Sequence, residues 1–160
     1  RMNRGYTSGS FPELIESIRE IYPEISIATD IITGFPGETD EDHAATKDLI
    51  VKLRADTLNI TRFSTRPGTA AFSMEQVHGR IAKERSAELT GLKNSLEYEI
   101  NSRLVGKTFT AVASEIKTGT IMRTDNYRPV AIPDILPLGT RADVEITGCR
   151  STYLAGKLKE

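Results

Sequence analysis

With 160 residues, of which 38% are apolar and 27% charged, the chain can form one ordinary domain or two small ones and is too apolar for a disordered segment. Its formal charge of −1 is uneven: residues 1–103 carry 13 Lys and Arg against 16 Asp and Glu, and residues 104–160 carry 8 against 6, an excess that permits nucleic-acid contact without demanding it. No apolar run approaches the ~20 residues of a membrane span, no signal peptide is visible, and the single cysteine, Cys149, excludes an internal disulfide and fits a reducing cytoplasm.

From the N-terminus, Ser10 and Glu13 form a capping-box pair with Pro12 tolerated in the first turn. Phe11, Leu14, Ile15, Ile18, Ile21 and Tyr22 then recur at helical spacing until Pro23 ends the run. Residues 25–32 are short and β-branched, as in a buried strand, and Gly34-Phe35-Pro36-Gly37 breaks them. Thr39 is placed to cap a second helix, with Asp40, Glu41 and Asp42 at its positive end and Ala45, Thr46, Leu49, Ile50 and Leu53 as its inner stripe. Asp56 to Phe63 reads as the next strand, and Arg66-Pro67-Gly68-Thr69 as a turn. Helix, strand, helix, strand is the pattern of parallel βα units. A long, highly charged helix follows from about Arg80 to Arg103, with Ile81, Leu89, Leu92, Leu96 and Ile100 along one side.

The periodicity changes near Val105. Residues 108–113, 120–123, 129–132, 142–146 and 152–158 are short β-rich stretches separated by Gly119, Asp125-Asn126, Gly139 and Gly148. Five such strands in about 55 residues predict a small closed barrel. The boundary falls at 103/104, giving an α/β part over 1–103 and an all-β part over 104–160.

The strongest local signal is Thr29-Asp30-Ile31-Ile32-Thr33-Gly34-Phe35-Pro36-Gly37-Glu38-Thr39, a strand ending in a tight turn before a helix. Ligands of parallel sheets sit beyond the carboxyl ends of strands, and glycines there let backbone approach a flat ligand. The plain alternative is a βα turn with Gly and Pro as punctuation. For Asp30 the two readings are a buried carboxylate bonded to backbone amides and a polar group facing a ligand.

The wording of that segment resembles the fifth-strand motif of the methylthiotransferase branch of radical-SAM enzymes. Three further pieces resemble the same family in the same order: Met2-Asn3-Arg4-Gly5-Tyr6-Thr7, Phe63-Ser64-Thr65-Arg66-Pro67-Gly68-Thr69-Ala70-Ala71 and Lys83-Glu84-Arg85. The closing stretch, about Leu104 to Lys159, looks like a TRAM domain, with Gly106-Lys107 and Arg123-Thr124-Asp125-Asn126-Tyr127 as matching words. The resemblance implies an α/β fold: the C-terminal βα units of a radical-SAM half TIM-barrel, followed by a small OB-like TRAM barrel. It looks most like the archaeal and eukaryotic type that acts on threonylcarbamoyladenosine beside the tRNA anticodon.

Such enzymes use S-adenosylmethionine and two [4Fe-4S] clusters, whose ligands are cysteine thiolates. With Cys149 as the only cysteine, both cluster sites are expected upstream, in a longer polypeptide of which this chain, beginning at Arg1, is a part. The chain by itself is then expected to be inactive. The adenosine end of the cofactor site carries over to Ile32, Gly34 and Phe35 and to Arg62, Phe63 and Ser64. The broad radical-SAM pattern here is GxIxGxxE; Asp30 replaces its first Gly and Glu38 sits one position late, which leaves the role of Glu38 open.

Arg4 and Arg66 are candidates to fork onto the substrate's carboxylate, with surface ion pairs as the alternative. In the barrel, Lys107, Arg123, Asn126, Tyr127, Arg128 and Lys157 are candidates to face the tRNA anticodon stem-loop, the cations on phosphate and Tyr127 stacked on an unpaired base. The alternatives are solubility for the charges and a rim aromatic for Tyr127. His43 and His78 match no metal spacing and read as surface residues, and Cys149 reads as a small barrel residue. Two strands of a half-barrel leave an open edge, which invites dimerisation. The sister enzymes acting on isopentenyladenosine or on a ribosomal protein are the near alternatives. A non-catalytic RNA-binding adaptor, or another βα enzyme with an appended barrel, is the distant one.

Overall fold

The computed structural model describes residues 5–7 and 9–159. Contacts divide it into two compact units, one made of the chain up to Pro23 with Ile27–Lys93, the other of Glu24–Ser26 with the chain from Asn94 onward.

The first unit opens with α1 (Ser10–Ile21). Its cap is built one turn before the expected place. Thr7 N–H donates to Ser10 Oγ at 3.1 Å and Ser10 N–H returns to Thr7 Oγ1 at 3.2 Å, so Thr7 and Ser10, not Ser10 and Glu13, exchange the reciprocal bonds. Pro12 and Ile15 are buried, whereas Leu14, Ile21 and Tyr22 of the expected apolar face are exposed.

Strands β1 (Ala28–Thr33) and β2 (Thr57–Arg62) pair in parallel, with Asp30 opposite Asn59 and Ile32 opposite Thr61. β1 starts later than expected because the Ile27 amide is taken by the Asp56 carboxylate at 2.8 Å, while Asp56 N–H and Thr57 N–H both donate to the Ile27 carbonyl. Nor is β1 buried on both faces. Thr29, Ile31 and Thr33, with Leu58 and Ile60, form the better buried face; Ala28 and Asp30, with Asn59 and Thr61, are exposed on the other. These two strands are the only sheet among the described residues of this unit, and a half-barrel is not seen in it.

Between them, α2 (Asp40–Leu53) carries the expected cap: Thr39 Oγ1 accepts from Asp42 N–H and Asp42 Oδ2 accepts from Thr39 N–H. Its C-terminal carbonyls are met by Arg19, whose two terminal nitrogens donate to Leu53 O at 2.7 Å and Arg54 O at 2.8 Å. His43 corrects the expectation of a surface residue: it is buried, and its Nε2 donates to Glu88 Oε2 at 2.8 Å. A short 3-10 turn, Ala70–Ser73, leads to α3 (Gly79–Ser102), which begins in the first unit and ends in the second. No helix among the described residues is long and apolar enough to cross a membrane.

The second unit closes five strands, β3 (Thr108–Ile116), β4 (Thr120–Thr124), β5 (Pro129–Ile132), β6 (Arg141–Cys149) and β7 (Leu154–Leu158), into a barrel of order β3-β4-β5-β7-β6. Only β5 and β7 run parallel. Alternation sends Ala111, Met122, Val130, Ile132, Val144, Ile146 and Leu154 inward, with Cys149 packed against them as a small barrel residue. Bulges near Ser114 and Thr147 bend the two long strands β3 and β6 around this core.

Candidate functional site

In the first unit the two strands end together. The ladder's last rung is Phe63 N–H to Thr33 O at 2.8 Å. Just beyond it a cavity of about 390 Å3 opens, lined by Ile32, Thr61, Arg62, Phe63, Ser64, Arg66, Thr69 and Ala71. Ile32 and Thr61 stand opposite each other on the exposed face, one step beyond the Asp30–Asn59 pair, so the polar face of the sheet leads into the cavity. Asp30 is exposed and accepts from Asn59 Nδ2 at 2.8 Å, so it is not the buried carboxylate of one reading. Phe35 is half-buried and meets Phe63 edge to face at 5.0 Å between ring centroids. Of the expected cofactor residues, Ile32, Arg62, Phe63 and Ser64 line this space, and Phe35 backs it through Phe63.

Gly34 has another task. Its φ is +77°, and a Cβ there would come within 2.9 Å of the Ala82 methyl, so its smallness makes room for α3. Its amide is also committed, donating to Glu38 Oε2 at 2.7 Å. Glu38 therefore has a clear role in the turn: it holds the Gly34 amide, accepts from Thr33 Oγ1 at 3.1 Å and binds Arg85 Nη1 at 2.8 Å. Arg85 reaches on through Nη2 to Asp40 Oδ1 at 2.7 Å. Burial alone would lower the pKa of this guanidinium, but its bonds to Asp40 and Glu38 prevail and raise it. The Lys83-Glu84-Arg85 segment thus contributes a brace that fixes the strand-end turn beside the cavity.

Arg66 lines the cavity on an exposed turn, and among the described residues its guanidinium pairs with no carboxylate. Arg4 lies outside the described residues. Among the described residues no group of His, Cys, Asp and Glu could hold a metal ion.

In the second unit the β4–β5 turn and the end of β4 gather four of the six barrel candidates, Arg123, Asn126, Tyr127 and Arg128. Thr124 Oγ1 donates to Asn126 Oδ1 at 2.6 Å and accepts from Arg128 N–H, and this pinned turn lifts Tyr127 into solvent, 76% exposed, at φ +67°. Arg123 lies over the Tyr127 ring at 5.2 Å and donates to the Tyr127 carbonyl. Arg128 is half-buried and donates to Asn101 Oδ1 at 3.2 Å, so it braces the fold and does not offer its guanidinium outward as expected. Lys157 sits elsewhere, paired across strands with Glu145 at 3.2 Å, and Lys107 is exposed at the start of β3. Sequence reasoning missed Arg141, which stands beside Val112 as Arg123 does on the other side, completing an outer row of two arginines. It also missed Tyr153, which shares a surface groove with Arg123. The sequence pattern puts Tyr153 inside the last β-rich stretch, 152–158, whereas the strand begins at Leu154 and leaves Tyr153 on the turn before it.

Residues 102–159 match the TRAM domain family. Over 99% of its length the chain is 39% identical to the probable threonylcarbamoyladenosine tRNA methylthiotransferase of Pyrococcus abyssi, covering 37% of that protein. The corresponding protein of Archaeoglobus fulgidus is 39% identical over 98% of the chain, again covering 37% of the relative. The tRNA-2-methylthio-N(6)-dimethylallyladenosine synthase of Dictyoglomus thermophilum is 41% identical over 99% of the chain and 37% of its own length. The chain thus spans little more than a third of these curated relatives. With an end-to-end match of this kind and the TRAM domain in its closing third, the chain matches the C-terminal part of the tRNA methylthiotransferase family.

Proposed function

We propose that the chain is the C-terminal part of an enzyme that converts threonylcarbamoyladenosine beside the tRNA anticodon to its 2-methylthio derivative, in the cytoplasm. The observation that carries this reading is the strand-end cavity. The motifs that resemble the family converge on it: Ile32 from one, Phe63, Ser64 and Arg66 from another, and the Arg85 brace from a third. In this reading the cavity receives the adenine end of S-adenosylmethionine, which with an iron–sulfur cluster supplies the radical that activates an unreactive C–H bond. The residues present fit that end of the cofactor. Ile32 and Phe63 offer apolar walls for a flat base, and the main chain that leaves the ladder after the Phe63 amide, itself spent on Thr33 O, can supply amide and carbonyl groups for its edge. The clusters do not fit: one cysteine in the whole sequence cannot supply their ligands. Their ligands belong to the remainder of the parent polypeptide.

The barrel would hold the anticodon stem-loop through Arg123, Asn126 and Tyr127, with Lys107 and Lys157 adding charge from another side. The same proposal assigns Arg66 to the substrate: its guanidinium can fork onto the carboxylate that ends the threonylcarbamoyl group. Dimethylallyladenosine, which lacks that carboxylate, is the second reading, favoured by the 41% identity to the Dictyoglomus enzyme.

The test is nucleoside mass spectrometry on tRNA from cells lacking the parent gene, rescued with the whole protein or with this chain. Loss of the methylthio mark on threonylcarbamoyladenosine, restored only by the whole protein, is the expected result. Loss on dimethylallyladenosine instead selects the second reading. An unchanged set of methylthio marks overturns both.

A further inference from the structure

The barrel carries a groove of about 410 Å3 on the outer face of β4 and β5, beside the Tyr127 turn, with which it shares Arg123. Its floor is aliphatic: Ile121 and Ala131 are cross-strand partners, and the methyl of Ala131 leaves depth between taller neighbours. Tyr153, on the β6–β7 turn and 40% exposed, forms one wall. Lys117 and Glu115, from the β3–β4 hairpin, form the other, and Arg123 adds a second cation to the lining.

Both walls are held in place. Arg150 N–H donates to Tyr153 O at 2.8 Å, closing the β6–β7 turn, and the buried Asn101 side chain donates to Arg150 O and Ser151 O, both at 2.9 Å. The hairpin lies directly on β5, since a Cβ at Gly119 would sit 2.1 Å from Ile132 O. The polar rim, by contrast, is free to rearrange: Lys117 and Glu115 pair at 3.1 Å with both side chains more than half exposed, so an incoming group can part them at small cost.

We propose that this groove seats one unpaired nucleotide of the bound RNA. The base lies on Ile121 and Ala131 against the ring of Tyr153, and Lys117 and Arg123 meet the flanking phosphates. A flat aliphatic floor beside an aromatic wall suits the face of a base, and two cations in the lining suit the backbone on either side. A base inside a duplex cannot enter such a groove, so the nucleotide is unpaired. Glu115, a hydrogen-bond acceptor, favours a base with an exposed exocyclic amine over uracil, whose one donor, N3–H, lies between two carbonyl oxygens that a carboxylate repels. The proposal rests on the reading that the barrel binds RNA and adds a place, a stacking partner and a base preference to it.

The experiment is fluorescence anisotropy of the 160-residue chain with labelled oligo(A), oligo(C), oligo(U) and a blunt RNA duplex, repeated with Tyr153→Ala, Tyr153→Phe and Lys117→Ala. Tyr153→Ala is expected to weaken oligo(A) binding about tenfold, and Tyr153→Phe to restore it. Lys117→Ala should lower the salt slope by about 0.7. Oligo(U) should bind more weakly than the other two. A 2-aminopurine within the oligo(A), whose fluorescence falls on stacking, reads the same contact in the unaltered protein, whatever the variants do to folding. Tight oligo(A) binding without that quenching, or with a folded Tyr153→Ala chain binding equally well, overturns the groove and leaves the barrel's RNA reading standing. No binding of any RNA overturns both.

Discussion

At the scale of single residues, the Arg85 brace decides how firmly the strand-end turn is held. Its side chain is 8% exposed and that of Glu38 12%, whereas Asp40 is 93% exposed. Removing one partner of a buried pair leaves the other charge stranded, so Glu38→Ala is expected to cost about 3–5 kcal/mol in urea unfolding. Asp40→Asn, acting on a solvated contact, should cost less than about 1 kcal/mol. Glu38 was visible in the sequence as part of a motif, but its role was not, because Arg85 stands 47 residues away. His43 was misread for the same reason, its partner Glu88 being 45 positions on. Glu88 also gives a pH test. Bonds from Lys47 and then His43 hold its carboxyl below the ordinary value of 4.5, so its stabilising effect is present above that pH and is lost as the pH falls through the folded value. The stability difference between the native chain and Glu88→Gln should therefore be largest near neutrality and shrink as unfolding is measured below about pH 4.5. Arg66 makes its prediction in the parent enzyme: Arg66→Ala should slow turnover on threonylcarbamoyladenosine tRNA, and unchanged kinetics would remove it from the site.

At the scale of elements, periodicity located the helices and all five barrel strands, because alternation and turn residues are local properties. It misjudged what closure requires. The β1 start depends on Asp56 reaching back to the Ile27 amide, and the α1 cap depends on Thr7 where a Ser10–Glu13 box fits the same rule. Two glycines show how element context sets the sign of a substitution. Gly119 has no room, since an added Cβ would strike the Ile132 carbonyl, so Gly119→Ala must displace the β3–β4 hairpin at about 2 kcal/mol or more. Gly91, inside α3, has nothing within 4 Å of a built Cβ, and Gly91→Ala should raise stability by about 0.5–1 kcal/mol. Paired urea titrations read both; a neutral Gly119→Ala would mean that the hairpin does not rest on β5.

At the scale of the whole molecule, the visible break in sequence pattern and the division by contacts differ by about ten residues. The pattern changes at 103/104 because helical periodicity stops there. The contacts divide at 93/94 because the last turns of α3 bury Leu96, Glu97 and Asn101 in the second unit. That packing is invisible to periodicity, which assigns a helix to one side or the other as a whole. It also sets the unfolding behaviour. The barrel has its own closed core, the first unit has another around Ile50, Leu53, Leu58 and Leu89, and α3 is the element common to both. Two cores in one chain depart from all-or-none unfolding. Met122 is fully buried in the barrel, so Met122→Ala should cost about 2–5 kcal/mol there, while Leu58→Ala should weaken the first unit by a similar amount. Hydrogen exchange resolves the two: Met122→Ala should lower protection of the β3–β7 amides and leave the β1–β2 ladder unchanged, and Leu58→Ala should do the reverse. Equal loss of protection in both sets, from either substitution, would mean that α3 couples the two cores into one cooperative unit.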